Sequence, residues 1–75
     1  MKSVVGTVLN WNDEEGWGVL RSADVTSDVF AHFSELALDG YRTVQPGQAV
    51  RFGCEHVPGG QDGYDYRAVD VRVID

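Results

Sequence analysis

Cations are scarce in this chain, and that scarcity is the first constraint on what it can be. Six lysines and arginines stand against twelve aspartates and glutamates, a formal charge of -6. That balance is the reverse of the basic footprint usual on a surface that meets a polyanion. Cysteine is nearly absent as well. With Cys54 alone there is no internal disulfide, and Cys54, His32 and His56 lack the spacing of a metal set. A reducing cytoplasm, with no metal and no other cofactor, is the expectation. No apolar run has the length of a signal-peptide core or a bilayer span, which points to a soluble chain without a membrane partner. Catalytic motifs are missing too. There is no glycine loop ending in Lys-Ser/Thr, no His-Glu-x-x-His and no Gly-x-Ser-x-Gly. A chain of 75 residues also leaves little room for a water-excluding pocket, so neither an enzyme nor a small-molecule substrate is expected.

What the chain does contain is short alternating segments. Strands are predicted from Val4 to Asn12, Trp17 to Arg21, Asp28 to Phe33, Gln48 to Val57 and Tyr66 to Val73, with no helix of ordinary length. Ala23 to Ser27 reads as a polar connection, and Gln45-Pro46-Gly47 as a turn into the fourth strand. Between Ser34 and Thr43 lies a longer irregular stretch, with a helical turn at Ser34-Glu35-Leu36 capped by the serine and a tight turn at Asp39-Gly40. The stretch Pro58 to Gly63 is the richest in glycine and is expected to be mobile. Val50, Phe52 and Cys54 share the inward parity of the fourth strand, and Val69, Val71 and Val73 that of the fifth. Five short strands with a long link after the third suit an all-β fold, a small five-stranded antiparallel barrel of OB type spanning residues 1–75 as one domain. At this size only marginal stability is expected.

Alternation also sorts the rings. Trp17, Phe30 and His32 take one parity of the second and third strands, whereas Leu20, Val29 and Ala31 take the other and already supply an apolar inner side. The rings are left facing outward. A row of exposed rings on a small chain asks for a partner with flat apolar faces and a polar backbone, which describes single-stranded RNA or DNA.

The run Gly6-Thr7-Val8-Leu9-Asn10-Trp11-Asn12-Asp13-Glu14-Glu15-Gly16-Trp17-Gly18-Val19-Leu20 resembles the opening of the bacterial cold-shock domain. That opening reads Gly-Lys-Val-Lys-Trp-Phe-Asn leading into Lys-Gly-Phe-Gly-Phe-Ile. Asp28-Val29-Phe30-Ala31-His32-Phe33 looks like the family's Val-Phe-Val-His-Phe motif, and Pro46-Gly47-Gln48-Ala49-Val50-Arg51-Phe52 follows in the family's order. The resemblance covers nearly the whole chain. It implies that Trp17, Phe30 and His32 form a stacking platform, that Trp11 and Phe33 contribute at the strand ends, and that Tyr41 closes over a base from its loop. Val19 occupies a further ring position of the family's motif. Asn12, with Asn10 as a second candidate, is suited to a base edge or sugar, and Lys2, Arg21, Arg42, Arg51, Arg67 and Arg72 are the cations available to phosphates.

Each assignment has a plainer counterpart. Trp11 also fits a plug in the barrel, Phe33 shares the inward parity of Val29 and Ala31, and Tyr41 could pack over the barrel mouth. Glu14 and Glu15 read as a solvated turn, and Asp62, Asp65 and Asp70 as surface charge without calcium-loop spacing. The departures from the family are specific. Asn10 stands where it has Trp, Glu15 and Leu9 where it has Lys, and Val19 where it has Phe, so at these four positions two rings and two cations are missing. At about 1–3 kcal/mol per stack, affinity should fall by one to several orders of magnitude, partly restored by the larger indoles of Trp11 and Trp17.

The resemblance implies a monomer that binds pyrimidine-rich single-stranded RNA or DNA and acts as an RNA chaperone or a cold-shock regulator of transcription or translation. This requires a ring face locally poor in carboxylates. The alternative is a domain that has traded that face for protein contacts, which the acidity and the missing Trp, Phe and Lys favour. Truncating Phe30 to alanine is expected to weaken nucleic-acid binding while sparing the fold.

Overall fold

In the computed structural model, residues 2–36, 44–58, 60 and 63–74 are described. Five strands run Lys2–Asn12 (β1), Trp17–Arg21 (β2), Val29–His32 (β3), Ala49–His56 (β4) and Tyr66–Val73 (β5), with a short 3-10 helix at Phe33–Glu35 after β3. They close into a barrel in the order β1-β2-β3-β5-β4. Four seams are antiparallel. The fifth, where β3 meets β5, is parallel and rests on the pair Phe30 with Arg67, followed by a parallel bridge from Leu36 to Val71. The expectation of a wholly antiparallel barrel is corrected at that seam, because the chain must cross over between β3 and β5 to close the sheet.

β1 is half-buried by alternation: Val4, Gly6 and Val8 face in, while Ser3, Val5 and Thr7 face water. Beyond Val8 the phase changes. The register against β2 slips between Val8 and Asn10, and a bulge of one residue moves every later side chain to the other face. Trp11 is thereby packed against the core and half-buried, with Asn10 and Asn12 exposed. Gly18, its partner on β2, leaves room for the indole: a Cβ there would fall 2.5 Å from Trp11 Cε3.

Leu20, Val29, Val50, Phe52 and Val71 are buried in the barrel interior. Each such side chain contributes about 1.5–3 kcal/mol through the apolar surface it removes from water. Cys54 packs half-buried against the same cluster, as its parity implies, and burial pushes its thiol pKa up. On β5 the inward set differs from the alternation Val69, Val71, Val73. Ala68 is buried, Val69 is only half-buried and outside the core cluster, and the phase resets at Asp70, whose φ of 52° interrupts the pleat. Opposite this point the register with β4 slips between Arg51 and Gly53. The Asp70 N–H, turned aside, donates to Glu35 Oε1 at 3.3 Å.

The turn after β3 is a 3-10 helix whose cap is His32 rather than Ser34, because the histidine Nδ1 accepts from the Ser34 N–H at 3.3 Å. β3 therefore ends at His32, one residue short of the Phe33 boundary expected. Tyr41, Arg42 and the Asp39-Gly40 turn lie outside the described residues, as do Gly59, Gln61 and Asp62 of the glycine-rich connection. Among the described residues no helix is long and apolar enough to cross a membrane.

Candidate nucleic-acid interface

The outer face of β2 and β3 carries the rings. Val19 pairs with Phe30 and Trp17 with His32 across the seam. The diagonal pair Trp17 and Phe30 stacks with centroids 5.4 Å apart and planes 21° from parallel. On its other flank Phe30 meets Tyr64 at 6.3 Å and 42°. Offset and tilted pairs at these separations each add about 0.5–1.5 kcal/mol beyond area burial. His32 and Phe33 form a second couple at 4.7 Å and 43°.

This arrangement corrects the expectation that all three platform rings stand open. Phe30 is only 3% exposed. It lies outside the interior cluster, on the side of the sheet opposite Val29 and Ala31, and its burial comes with rings packed against it from both flanks. Val19 is buried in the same layer. Trp17, His32 and Tyr64 are half-buried, and Phe33 is 43% exposed. The plainer reading of Phe33 as an inward residue is thus set aside. Its position in the 3-10 helix, after the strand has ended, frees it from the parity of Val29 and Ala31. Tyr64 is the ring that alternation did not single out, since it sits in a loop rather than on a strand.

The turn beneath the rings is tied by Asn12. Its Oδ1 accepts from the Glu15 N–H at 2.9 Å, and its carbonyl accepts from the Gly16 N–H at 2.8 Å. The Asn12 amide oxygen, expected to read a base edge, is thus engaged in the turn. Gly16 adopts φ 76° there, and a Cβ would fall 2.7 Å from Phe33 Cδ1. The Gly16 carbonyl accepts from the Phe33 N–H at 2.8 Å, fixing the second ring couple to the turn.

Polar groups around the rings are held in defined states. His32 Nδ1 is close to two Ser34 donors, the N–H and the hydroxyl at 2.8 Å. In the neutral ring the hydrogen therefore sits on Nε2, which is left as a donor. Trp17 Nε1–H donates to Glu15 Oε1 at 2.8 Å, so Glu15 is more than a solvated turn residue: it sits on the platform. Arg67, beside Phe30 on β5, is paired through Nη2 to Glu55 Oε1 at 2.6 Å. An open cleft of about 240 Å³ is lined by His32, Ser34, Glu35 and Arg67. The ring face is consequently rimmed by Glu15, Glu35 and Glu55, contrary to the requirement that carboxylates stay away. Arg21 and Arg72 are paired with Asp28 and Asp70 at 3.1 and 3.2 Å. No group of three or more His, Cys, Asp or Glu among the described residues is placed to hold a metal ion.

Residues 4–73 match the family model described as the 'Cold-shock' DNA-binding domain. The chain belongs to the cold-shock domain family. A cold shock-like protein of Aquifex aeolicus is 35% identical over 69 residues, covering 92% of this chain and 91% of that one. The cold shock-like protein CspD of Escherichia coli strain K12 is 40% identical over 67 residues, covering 89% and 90%. Among solved structures, the Drosophila Unr CSD456 fragment superposes with a TM-score of 0.73 at 24% identity. This cold-shock domain is covered to 99% and spans 27% of that longer chain, and the likeness is one of fold.

Proposed function

We propose that this cold-shock domain binds single-stranded RNA or DNA on the ring face of β2 and β3, without ATP and without catalysis. The observation that carries the reading is the ring layer Trp17, Phe30 and Tyr64 on the outer side of the sheet, separate from the interior core. Phe30 serves as a foundation here, and the exposed parts of Trp17, His32, Phe33 and Tyr64 are the surfaces on which bases stack. Stacking tolerates sequence because every base has a flat face. Preference for pyrimidine-rich segments, a monomeric state, a cytoplasmic location and a single domain over residues 1–75 belong to the same proposal. By binding unpaired segments better than paired ones, the protein draws hairpins toward their open form, which is RNA chaperoning. Tyr41 and Arg42 belong to the candidate site through the resemblance of their loop.

The carboxylate rim favours a second reading, an acidic module that contacts proteins. One titration separates the two. Short oligo-dT or oligo-U is expected to quench the fluorescence of Trp17, which lies in the site, while duplex DNA leaves it unchanged. Fluorescence and amide shifts that stay constant at high micromolar oligonucleotide would overturn the nucleic-acid reading and favour the protein contact.

A further inference from the structure

Arg67 and Glu55 are register partners on β5 and β4, and Arg67 is also the register partner of Phe30 across the parallel seam. Their ion pair is therefore anchored at the edge of the ring layer. Both side chains are partly open, at 43% and 38% exposure. One Nη2 hydrogen of the guanidinium goes to Glu55, and its Nε is buried with no hydrogen-bond partner among the described residues, which leaves Nη1 and the second Nη2 hydrogen as the fork a ligand can meet. Beside it opens the cleft with Ser34, Glu35 and the histidine whose Nε2 is left as a donor.

A phosphate is poorly served by this corner. Arg67 is faced by Glu55 and neighboured by Glu35, so the local charge does not favour a second anion. A neutral ligand offering adjacent acceptors to the guanidinium and adjacent donors to the carboxylate avoids that repulsion. Among the bases, guanine does this best. O6 and N7 accept from an arginine fork, and N1–H with the N2 amino group donates to both oxygens of a carboxylate. Uracil and thymine offer one donor between two carbonyls, and so satisfy the carboxylate once.

We infer that the Arg67–Glu55 pair reads a guanine at the edge of the ring layer. The assignment rests on the nucleic-acid reading above and adds a specificity to it: one purine position in a strand otherwise held by stacking. On binding the pair opens far enough for each partner to exchange part of its contact for the base edge. Stacking against the rings orients the base, and the charged pair selects it. An ion pair this exposed contributes little to the fold, so exchanging part of it for a base costs little.

Trp17 quenching by a short oligo-dT, by the same strand carrying one dG moved along its length, and by that strand with inosine in place of dG tests the assignment. The strand with dG in the favoured position is expected to bind about five- to tenfold tighter than oligo-dT, the low end for a bidentate base contact. Inosine, lacking the N2 amino group, should lose most of that gain. Glu55→Gln and Arg67→Lys should each bring the ratio of dG-strand to oligo-dT affinity down to about one, with thermal midpoints confirming that both variants fold. Oligo-dT binding without any preference for dG overturns the guanine assignment alone. So does a Glu55→Gln variant that binds every sequence more tightly with a steeper salt dependence, since Arg67 would then be a phosphate contact. Failure of every strand to bind would overturn the nucleic-acid reading and this assignment with it.

Discussion

At Phe30 a single ring has two duties. With 3% exposure and rings on both flanks, its truncation to alanine removes a buried side chain and the support of Trp17 and Tyr64. Buried Phe→Ala changes cost about 3–5 kcal/mol, and the lower part of that range suits a site outside the main core. A loss of about 3 kcal/mol lowers the melting midpoint of a chain this size by roughly 12–24 °C. Calorimetry on Phe30→Ala checks this, and it replaces the expectation that the fold would be spared. Glu15 is expected to behave in the opposite way. Its carboxylate is bound to the Trp17 indole N–H, beside the surface a base would use. Glu15→Lys removes that charge and restores a cation, so oligo-dT should bind about fivefold tighter, with a salt slope steeper by roughly 0.7 for one more phosphate. Cys54 gives a pH signature. Because burial raises its thiol pKa, the folded state holds the thiol proton more firmly than the unfolded chain does. The corresponding stability is present at neutral pH and is lost as pH climbs through the ordinary thiol range toward the raised value. Urea melts from pH 7 to 10 should show a decline that Cys54→Ala lessens.

Elements differ in how much of them the alternation could foretell. β2 and β5 were readable to the residue and β3 and β4 to within one at each end, because apolar alternation and turn residues bracket them. What escaped were the phase changes. A bulge after Val8 turns Trp11 inward and Asn10 outward, and the left-handed backbone at Asp70 moves the inward set from Val69 to Ala68. Neither leaves a mark in composition, since each depends on a partner strand's register. The site was legible to a similar depth. Parity placed Phe30 on the outer face, but the ring that covers it, Tyr64, arrives from a loop distant in sequence. Likewise the six cations could be counted, while the pairing of Arg67 with Glu55 required β4 and β5 side by side. The β1–β2 seam offers a direct test of one such contact. Gly18→Ala sets a methyl hard against the Asn10 carbonyl oxygen and 2.5 Å from Trp11 Cε3, so the β1 backbone must shift as well as the indole. It should cost at least the roughly 1–3 kcal/mol of an overpacked core, read as a lowered thermal midpoint.

The whole molecule carries a charge of -6, and its ion pairs at Arg21, Arg67 and Arg72 are each well exposed. Such pairs contribute about 0–1 kcal/mol apiece and weaken in salt, while screening also relieves the repulsion among the excess carboxylates. The second effect is the larger in a chain with twice as many acids as bases, so moderate sodium chloride should raise the melting midpoint. For nucleic-acid binding the same balance predicts a shallow dependence. With two or fewer phosphates neutralised, log affinity should fall against log salt with a slope no steeper than about 1.4. Fluorescence titrations from low to moderate salt measure it directly.

The parallel seam between β3 and β5 has a kinetic consequence. Phe30 and Arg67 become neighbours only when two segments far apart in sequence dock, and contacts of long sequence separation are the slow ones in folding. A bound strand that stacks on His32 of β3 and reaches Arg67 of β5 acts as a clasp across this long-range seam. Amide hydrogens of β5 should then exchange with solvent more slowly in the complex, while those of the β1–β2 hairpin change less.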